Sequence, residues 1–462
     1  MSPLDELRAA FKGDILTEDA LGYDEAIARW AANAERRAKY ICFVKGTDDV
    51  ALALKFARTS GLKLAIRGGG NDPGGSSSQE GGLIIDLSRY LNVVRVDPQT
   101  KLAYVSGGAR GRDIDLAAGE FGLAAVCGTV NRVGFTGLSL GGGFGWLSAE
   151  HGLSLDNIVQ ITLVIADGSV LTASSTENTD LFWAVRGAGS NFGVCTELVV
   201  RLHDQRPTVY SGFLTYPASL VGSVAELTEA WWKSGPSSKE GMIQMLNRGT
   251  APDYKDSLQV IPFYNGSEAE GREVFKAFLD LKPDDATYEM PYHDLNSIEN
   301  EGTKPGLQIC MIGMSELQYS ASVIKEAFAA ISASSTPDLR VYMNFELFPR
   351  DKICEVAPDA CAFNLRWRAF NVLALADWDS PSEEQDKKAN AHCKTLVDIV
   401  TNSEPNPKDA KERVYGNYVG RGVCSTKRGE RIFGDNYPRL QEIKKKYDPD
   451  MVFSKWLTIG PA

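Results

Sequence analysis

Glycine is concentrated in three short stretches of this chain, and those stretches are where the sequence offers chemistry. Gly68, Gly69 and Gly70 open the run RGGGNDPGGSSSQEGG between Arg67 and Gly82. The second stretch is GFTGLSLGGGFG from Gly134 to Gly145, and the third is GAGSNFG at 187–193. Without a Cβ, consecutive backbone N–H groups can point at one cluster of anionic oxygens, such as a diphosphate. The first cluster follows a strand-like run, which is where an anion loop belongs; it also reads as an ordinary Gly-rich turn. The common nucleotide signatures are missing. There is no GxxxxGK[ST] and no GxGxxG after a strand. The segment at 187–193 matches only GxGxxxG and follows a helical stretch, which argues against a Rossmann site.

Other chemistries find less support. The four histidines (His151, His203, His293, His392) form no HExxH and no short-spaced pair, so no metal site is expected. The eight cysteines, Cys424 among them, are scattered and form no CxxC, which suggests reduced thiols and a cytoplasmic protein.

The elements that must position the loops can be read from periodicity. Residues 40–44, 62–66, 83–87 and 194–202 read as strands. Residues 48–57 have helical spacing and an acidic first turn, with Thr47 as the expected cap. Residues 113–121 and 181–186 also read as helical. Segments 93–96 and 102–105 predict a hairpin, as do 158–166 and 169–173 around Asp167 and Gly168. Beyond residue 209 the glycine clusters stop. Strand-like stretches at 258–263, 308–313, 341–347 and 370–376 alternate with helical ones at 220–232, 268–281, 320–331 and 382–400. That pattern predicts an antiparallel sheet with helices on one face.

The chain has 462 residues, 43% hydrophobic and 24% charged, which suits a soluble globular protein and excludes disorder, collagen and coiled coil. A net charge of −11 is the wrong sign for a nucleic-acid partner. The run Lys444, Lys445, Lys446 between Glu442 and Asp448 reads as a solvated helix face. No apolar run reaches the ~18–20 residues of a membrane span. The start MSPLDELRAAFKGD lacks a basic start followed by an apolar stretch, so no secretory signal is expected.

Three segments in this order, IRGGGNDPGGSSSQEGGLIIDLSRY, CGTVNRVGFTGLSLGGGFGWLSAEHGLSLDNIV and ADGSVLTASSTENTDLFWAVRGAGSNFGV, resemble the FAD-binding domain of the vanillyl-alcohol oxidase superfamily. The tail YGNYVG…IFGDNYPRLQEIKKKYDPDMVF resembles the C-terminal segment of its berberine-bridge-enzyme-like branch, of the 6-hydroxynicotine and glucooligosaccharide oxidase kind. The resemblance implies an α+β fold: a PCMH-type FAD-binding domain of two α+β subdomains (1–205), a substrate domain with an antiparallel sheet covered by helices (206–409), and a segment returning to the FAD domain (410–462). It implies that Gly68, Gly69, Gly70 and Asn71, with Asp72 beside them, bind the diphosphate. Gly128, Thr129, Val130, Gly134, Gly137 and the turn from Gly142 to Gly145 are implied to line the flavin and its ribityl chain, and Gly193 and Val194 the adenosine end.

Two positions depart from the family pattern. Most members carry a His, bonded to the flavin, directly after the first Gly loop; here that residue is Asn71. A carboxamide nitrogen is not nucleophilic, though it can hydrogen-bond through both its O and its NH2. Some members add a second bond from a Cys, and Cys127 falls one residue early for it. It reads as a buried thiol or as a cysteinyl attachment, and non-covalent FAD is the expectation. Related enzymes also often place Glu, Gln or Tyr on a substrate-domain strand just before a Trp. That strand here is AFNVLALADW, with Leu373 at the expected position and Asn371 and Asp377 as its polar side chains. The tail pattern Tyr-x-Asn-Tyr, matched by 415–418, is a strand in the family that brings a tyrosine near flavin and substrate. Tyr418 is therefore the expected proton acceptor, with Asn436 and Tyr437 second in line and His151 structural. The function expected is oxidation of a small or medium organic substrate, a secondary metabolite in keeping with the family. Hydride would pass to flavin N5, and O2 or another acceptor would reoxidise it. The rivals are a redox-neutral flavoenzyme and a non-catalytic flavin-binding protein.

Overall fold

A computed structural model of the chain describes residues 2–248, 255–406, 413–420 and 426–462. The expected boundary at 409/410 and Cys424 lie outside the described residues. Strands Asp14–Leu16, Tyr40–Phe43, Leu83–Asp86 and Leu64–Arg67 form a four-stranded sheet in that order. Tyr40–Phe43 and Leu64–Arg67 both run parallel to Leu83–Asp86, all four of whose residues are buried. Helix Thr47–Thr59 covers this sheet, packing Val50, Ala53, Leu54 and Ala57 against Leu83 and Ile85. Thr47 does not cap it. Gly46 holds the cap position with no side-chain bond, and the buried Asp49 ties the entry down by accepting from the N–H groups of Lys45 and Lys12, both at 2.9 Å.

A second, antiparallel sheet has the order Val94–Asp97, Leu102–Ser106, Val194–Arg201, Ile158–Val164, Val170–Ser174. It contains both expected hairpins. In the second of these, Gly168 takes a φ of +90° that its lack of a Cβ makes cheap.

Seven antiparallel strands build the third sheet, in the order Asp284–Pro291, Thr208–Pro217, Asp256–Tyr264, Glu240–Arg248, Arg340–Leu347, Phe370–Trp378, Gln308–Glu316. The first, second and fourth of these are not anticipated by the sequence reading. Thr208–Pro217 shows why: Gly212 (φ +133°) and a terminal proline interrupt its period, and its pairing with Asp256–Tyr264 skips Ser211–Phe213. The expected helix at 268–281 is two helices, Glu268–Val274 and Lys276–Leu279, broken at Phe275. Helices Val221–Lys233, Ala321–Ser334 and Glu383–Asn402 pack on one face of the sheet, over Val341, Met343, Phe345, Val372, Ala374 and Ala376. Strand period two sends Tyr342, Asn344, Glu346, Leu373 and Leu375 to the opposite face, and that face looks into a cavity shared with the first Gly loop.

The basic run at 444–446 is not uniformly solvated. Lys444 is fully buried in helix Tyr437–Tyr447, its ammonium donating to Asp448 Oδ2 (2.6 Å), Asn191 O (2.6 Å) and Phe453 O (2.7 Å). A single buried acceptor set selects one lysine of three, a tertiary effect that charge counting cannot see.

Candidate active site

One cavity of about 340 Å³ runs from the first Gly loop to the open face of the seven-stranded sheet. At one end, Gly68, Gly69, Gly70, Asn71 and Asp72 follow strand Leu64–Arg67 and line the wall. Their five backbone N–H groups donate to no acceptor among the described residues. Asp72 shapes the loop by accepting from Gly74 N (2.9 Å) and Ser76 N (2.8 Å). Two arginines run directly behind it. A Cβ on Gly70 (φ +73°) would lie 3.2 Å from Arg29 Cδ and 3.3 Å from Arg67 Nε. Arg67 pairs with the buried Asp86 at 3.1 Å. Arg29, only 4% exposed, donates to Ser77 O (2.7 Å), Ser77 Oγ (3.1 Å) and Ala28 O (2.8 Å) and has no ion pair among the described residues. Burial, then the charge of Arg67, holds its guanidinium down to about 9. Five free donors backed by an excess of buried positive charge suit a diphosphate, so the residues present fit FAD.

Gly128, Thr129, Val130, Gly134, Gly137 and Gly193 join the same wall. Gly134 backs onto Gly69: a Cβ on Gly69 would fall 2.6 Å from Gly134 Cα. Gly137, in helix Phe135–Leu140, faces open space, with nothing within 4 Å of an added Cβ. Three of the expected residues are not on the wall. A Cβ on Gly142 (φ +135°) would meet the Tyr415 ring at 2.8 Å and Phe363 at 2.9 Å. One on Gly145 would overlap the carbonyl of Cys127. Val194 is fully buried in the core beside the first sheet. These three shape the framework behind the wall instead. Cys127 also points away: its Sγ would be 2.9 Å from a Cβ on Gly111, and burial, then the charge of Asp115, pushes its thiol far up. None of the four histidines is on the wall. His151 stacks on His203 with centroids 3.7 Å apart.

At the sheet end the tail comes in. Residues 416–418 form a 3-10 turn rather than the strand implied by resemblance. Tyr415 OH accepts from Gly143 N (2.8 Å) and Asn417 Nδ2 (2.8 Å), and its ring packs edge-on against Tyr418 at 4.8 Å. Tyr418 donates to Glu346 Oε1 at 2.6 Å. Asn371 Nδ2 donates to Glu346 Oε2 at 3.0 Å, and Asn371 Oδ1 accepts from Arg350 (2.7 Å) and Ser315 (3.2 Å). Burial raises the Glu346 carboxyl, against the hydrogen bonds of Tyr418 and Asn371 and the charge of Arg350. Burial, then Glu346, raises the Tyr418 phenol far above its usual range. Tyr418 is thus a protonated donor joined to a buried acid, not a free tyrosinate.

Leu373 lines the wall at the position where the family pattern places a base, and the acid stands one strand over, at Glu346. Of the other polar candidates, Asp377 pairs with Arg340, and Asn436 Nδ2 is spent on Pro358 O (2.8 Å) and Cys361 O (3.1 Å). Tyr437 OH accepts from Gly460 N (3.4 Å). The sequence reading missed Arg29, Glu299, Tyr342, Asn344, Glu346 and Arg350. A signal for three of them was present. In VYMNFEL (341–347) apolar core residues alternate with Tyr, Asn and Glu, which marks a strand whose second face meets something polar.

Known proteins share the sequence and fold of this chain. Residues 38–174 match the FAD binding domain family and residues 405–459 the family described as berberine and berberine like. A FAD-linked oxidoreductase, pgmH of Aspergillus terreus, is 30% identical, covering 99% of this chain and 96% of the relative. An (R)-6-hydroxynicotine oxidase of Paenarthrobacter nicotinovorans is 38% identical over 224 residues, 48% of this chain and 49% of that one. The solved structure of 6-hydroxy-D-nicotine oxidase from Arthrobacter nicotinovorans superimposes with a TM-score of 0.87 at 26% identity, covering 98% of both chains. With the unpartnered loop N–H groups, these likenesses make the chain a FAD-dependent oxidoreductase, a member of the berberine-bridge-enzyme-like branch of the vanillyl-alcohol oxidase superfamily.

Proposed function

We propose that this protein oxidises a small or medium organic molecule, a secondary metabolite by class, and that the Tyr418–Glu346 pair accepts the substrate proton. The 2.6 Å hydrogen bond from Tyr418 to a buried carboxylate on the cavity wall carries the reading. Tyr418 holds the substrate's O–H or N–H. As its oxygen takes that proton, its own passes to Glu346 Oε1. Asn371 and Arg350 keep Glu346 oriented and limit the cost of its charge. Bound FAD supplies the hydride acceptor, with O2 or another acceptor taking the electrons on. The Gly68–Asp72 N–H groups and the arginines behind them hold its diphosphate, and Gly128–Val130, Gly134, Gly137 and Gly193 border the rest. FAD sits there without a covalent bond: Asn71 is no nucleophile, and the Cys127 thiol is buried elsewhere. The redox-neutral alternative rests on Asn71 and on a strand lacking a base, and Glu346 on the neighbouring strand takes the second support away.

Acid precipitation of the purified yellow protein should leave the flavin in the supernatant; colour in the pellet refutes non-covalent binding. Once a substrate is found by screening for flavin bleaching, Tyr418→Phe and Glu346→Gln should each slow single-turnover reduction by roughly 10²–10⁴-fold while FAD stays bound. Wild-type rates in both would remove the pair from the mechanism.

A further inference from the structure

Glu299 is a second acid on the cavity wall, only 8% exposed. It sits in a segment locked to the FAD domain. Asn131 N donates to Asn296 O (2.7 Å), Asn296 Nδ2 to Asp115 Oδ2 (3.0 Å), and Asn300 Nδ2 to Asn131 Oδ1 (3.0 Å). Thr129 hydrogen-bonds its carboxyl, and Thr303 Oγ1 donates to its backbone carbonyl at 2.8 Å. Its place is therefore set by tertiary contacts, unlike that of a surface carboxylate.

Yet no cation among the described residues pairs with it. Arg132, nearby in sequence to Thr129, donates to Asn300 O and Thr303 Oγ1 instead. Arg350 is engaged with Asn371 beside Glu346. On the open sheet face Asn344 lies opposite Leu373 and lines the same cavity, and its Oδ1 is buried with no hydrogen-bond partner among the described residues. Beside these polar groups the wall offers apolar surface from Trp30, Ile243, Met311, Leu373 and Leu375, and its one arginine, Arg132, is engaged as described. A buried carboxylate without a counter-charge is costly, and an orphan acceptor adds to that cost. Both are relieved by one kind of ligand, a cation carrying N–H donors on an apolar body.

We propose that Glu299 and Asn344 form a recognition site for a protonated nitrogen of the substrate, Glu299 supplying the charge and Asn344 a second acceptor. This rests on the reading of the cavity as a joint FAD and substrate site. Burial, then the charge of Glu346, pushes Glu299 up to about 7; an ammonium beside it would bring it back down.

The test is equilibrium binding to the FAD-loaded protein of tyramine, a phenol with a cationic amine, and of its neutral analogue 4-ethylphenol. Flavin absorbance and tryptophan fluorescence report binding. Wild type should bind tyramine at least about tenfold more tightly than 4-ethylphenol. Glu299→Gln should erase that preference and leave 4-ethylphenol affinity unchanged. Asn344→Leu, a second variant, should weaken tyramine about three- to tenfold. Equal affinity for the two probes in wild type, no tyramine binding, or a preference that survives Glu299→Gln would each overturn the proposal. Flavin content is measured separately, so loss of the FAD reading shows as colourless protein, while the fluorescence titration still judges Glu299.

Discussion

Two glycines on the cavity wall should respond to the same small change for different reasons. In Gly69→Ala the new methyl would sit 2.6 Å from Gly134 Cα and closer still to its nitrogen. Carbon contacts need ~3.5 Å, so the two loops must part by about 1 Å. That is overpacking between backbones that cannot rotate away, with a cost of about 1–3 kcal/mol to the apoprotein. It also pulls the Gly68–Asp72 donors off their aim. Losing one charge-assisted hydrogen bond of ~1.5–3 kcal/mol weakens FAD binding by about 10–150-fold. In Gly137→Ala the methyl meets nothing within 4 Å, so the apoprotein should keep its melting temperature. The space it enters belongs to the cavity, so FAD affinity should still fall. The assay is FAD removal, thermal melting of each apoprotein, and reconstitution followed by quenching of FAD fluorescence. Wild-type affinity in Gly69→Ala would show that the loop contact does not aim the donors. Wild-type affinity in Gly137→Ala would show that the cofactor does not reach that helix.

Arg29→Met should raise the Kd for FAD by about tenfold or more, because it removes the unpaired buried cation behind the diphosphate loop; an unchanged Kd would put the diphosphate elsewhere. Lys444→Met leaves Asp448, Asn191 O and Phe453 O without their shared donor and should cost about 3–5 kcal/mol in urea unfolding, so a loss below ~1 kcal/mol would refute that account. Burial, then Glu404, raises Glu316 from 4.5 to about 9. The folded protein therefore keeps a proton that the unfolded chain gives up, and stability should fall as pH rises through that window. Glu316→Gln should flatten melting temperature against pH between about 5 and 9, and an unaltered slope counts against the assignment.

The glycine clusters and the strand and helix periods are local properties, and they mark loops that line the cavity, the two hairpins and four of the seven strands of the third sheet. Local signals also placed the helix at Thr47–Thr59 but misjudged its cap, since Asp49 reaches residues on both sides only in the folded chain. Glu346 shows the limit most clearly. Its strand was recognised, but which face of that strand would be covered by helices depended on Val221–Lys233, Ala321–Ser334 and Glu383–Asn402, all distant in sequence. The sequence therefore shows only Leu373 where a base is expected, while the acid that Tyr418 meets stands one strand away. Gly142 and Gly145 belong to a cluster that composition cannot divide, and only the approach of Tyr415 and of the Cys127 carbonyl separates framework glycines from those on the wall. Arg29, Glu299 and Lys444 sit in ordinary polar sequence. Their burial, and with it the charge each brings to its neighbours, exists only once segments tens to hundreds of residues apart have closed around them, because desolvation is a property of the packed surroundings and not of the residue.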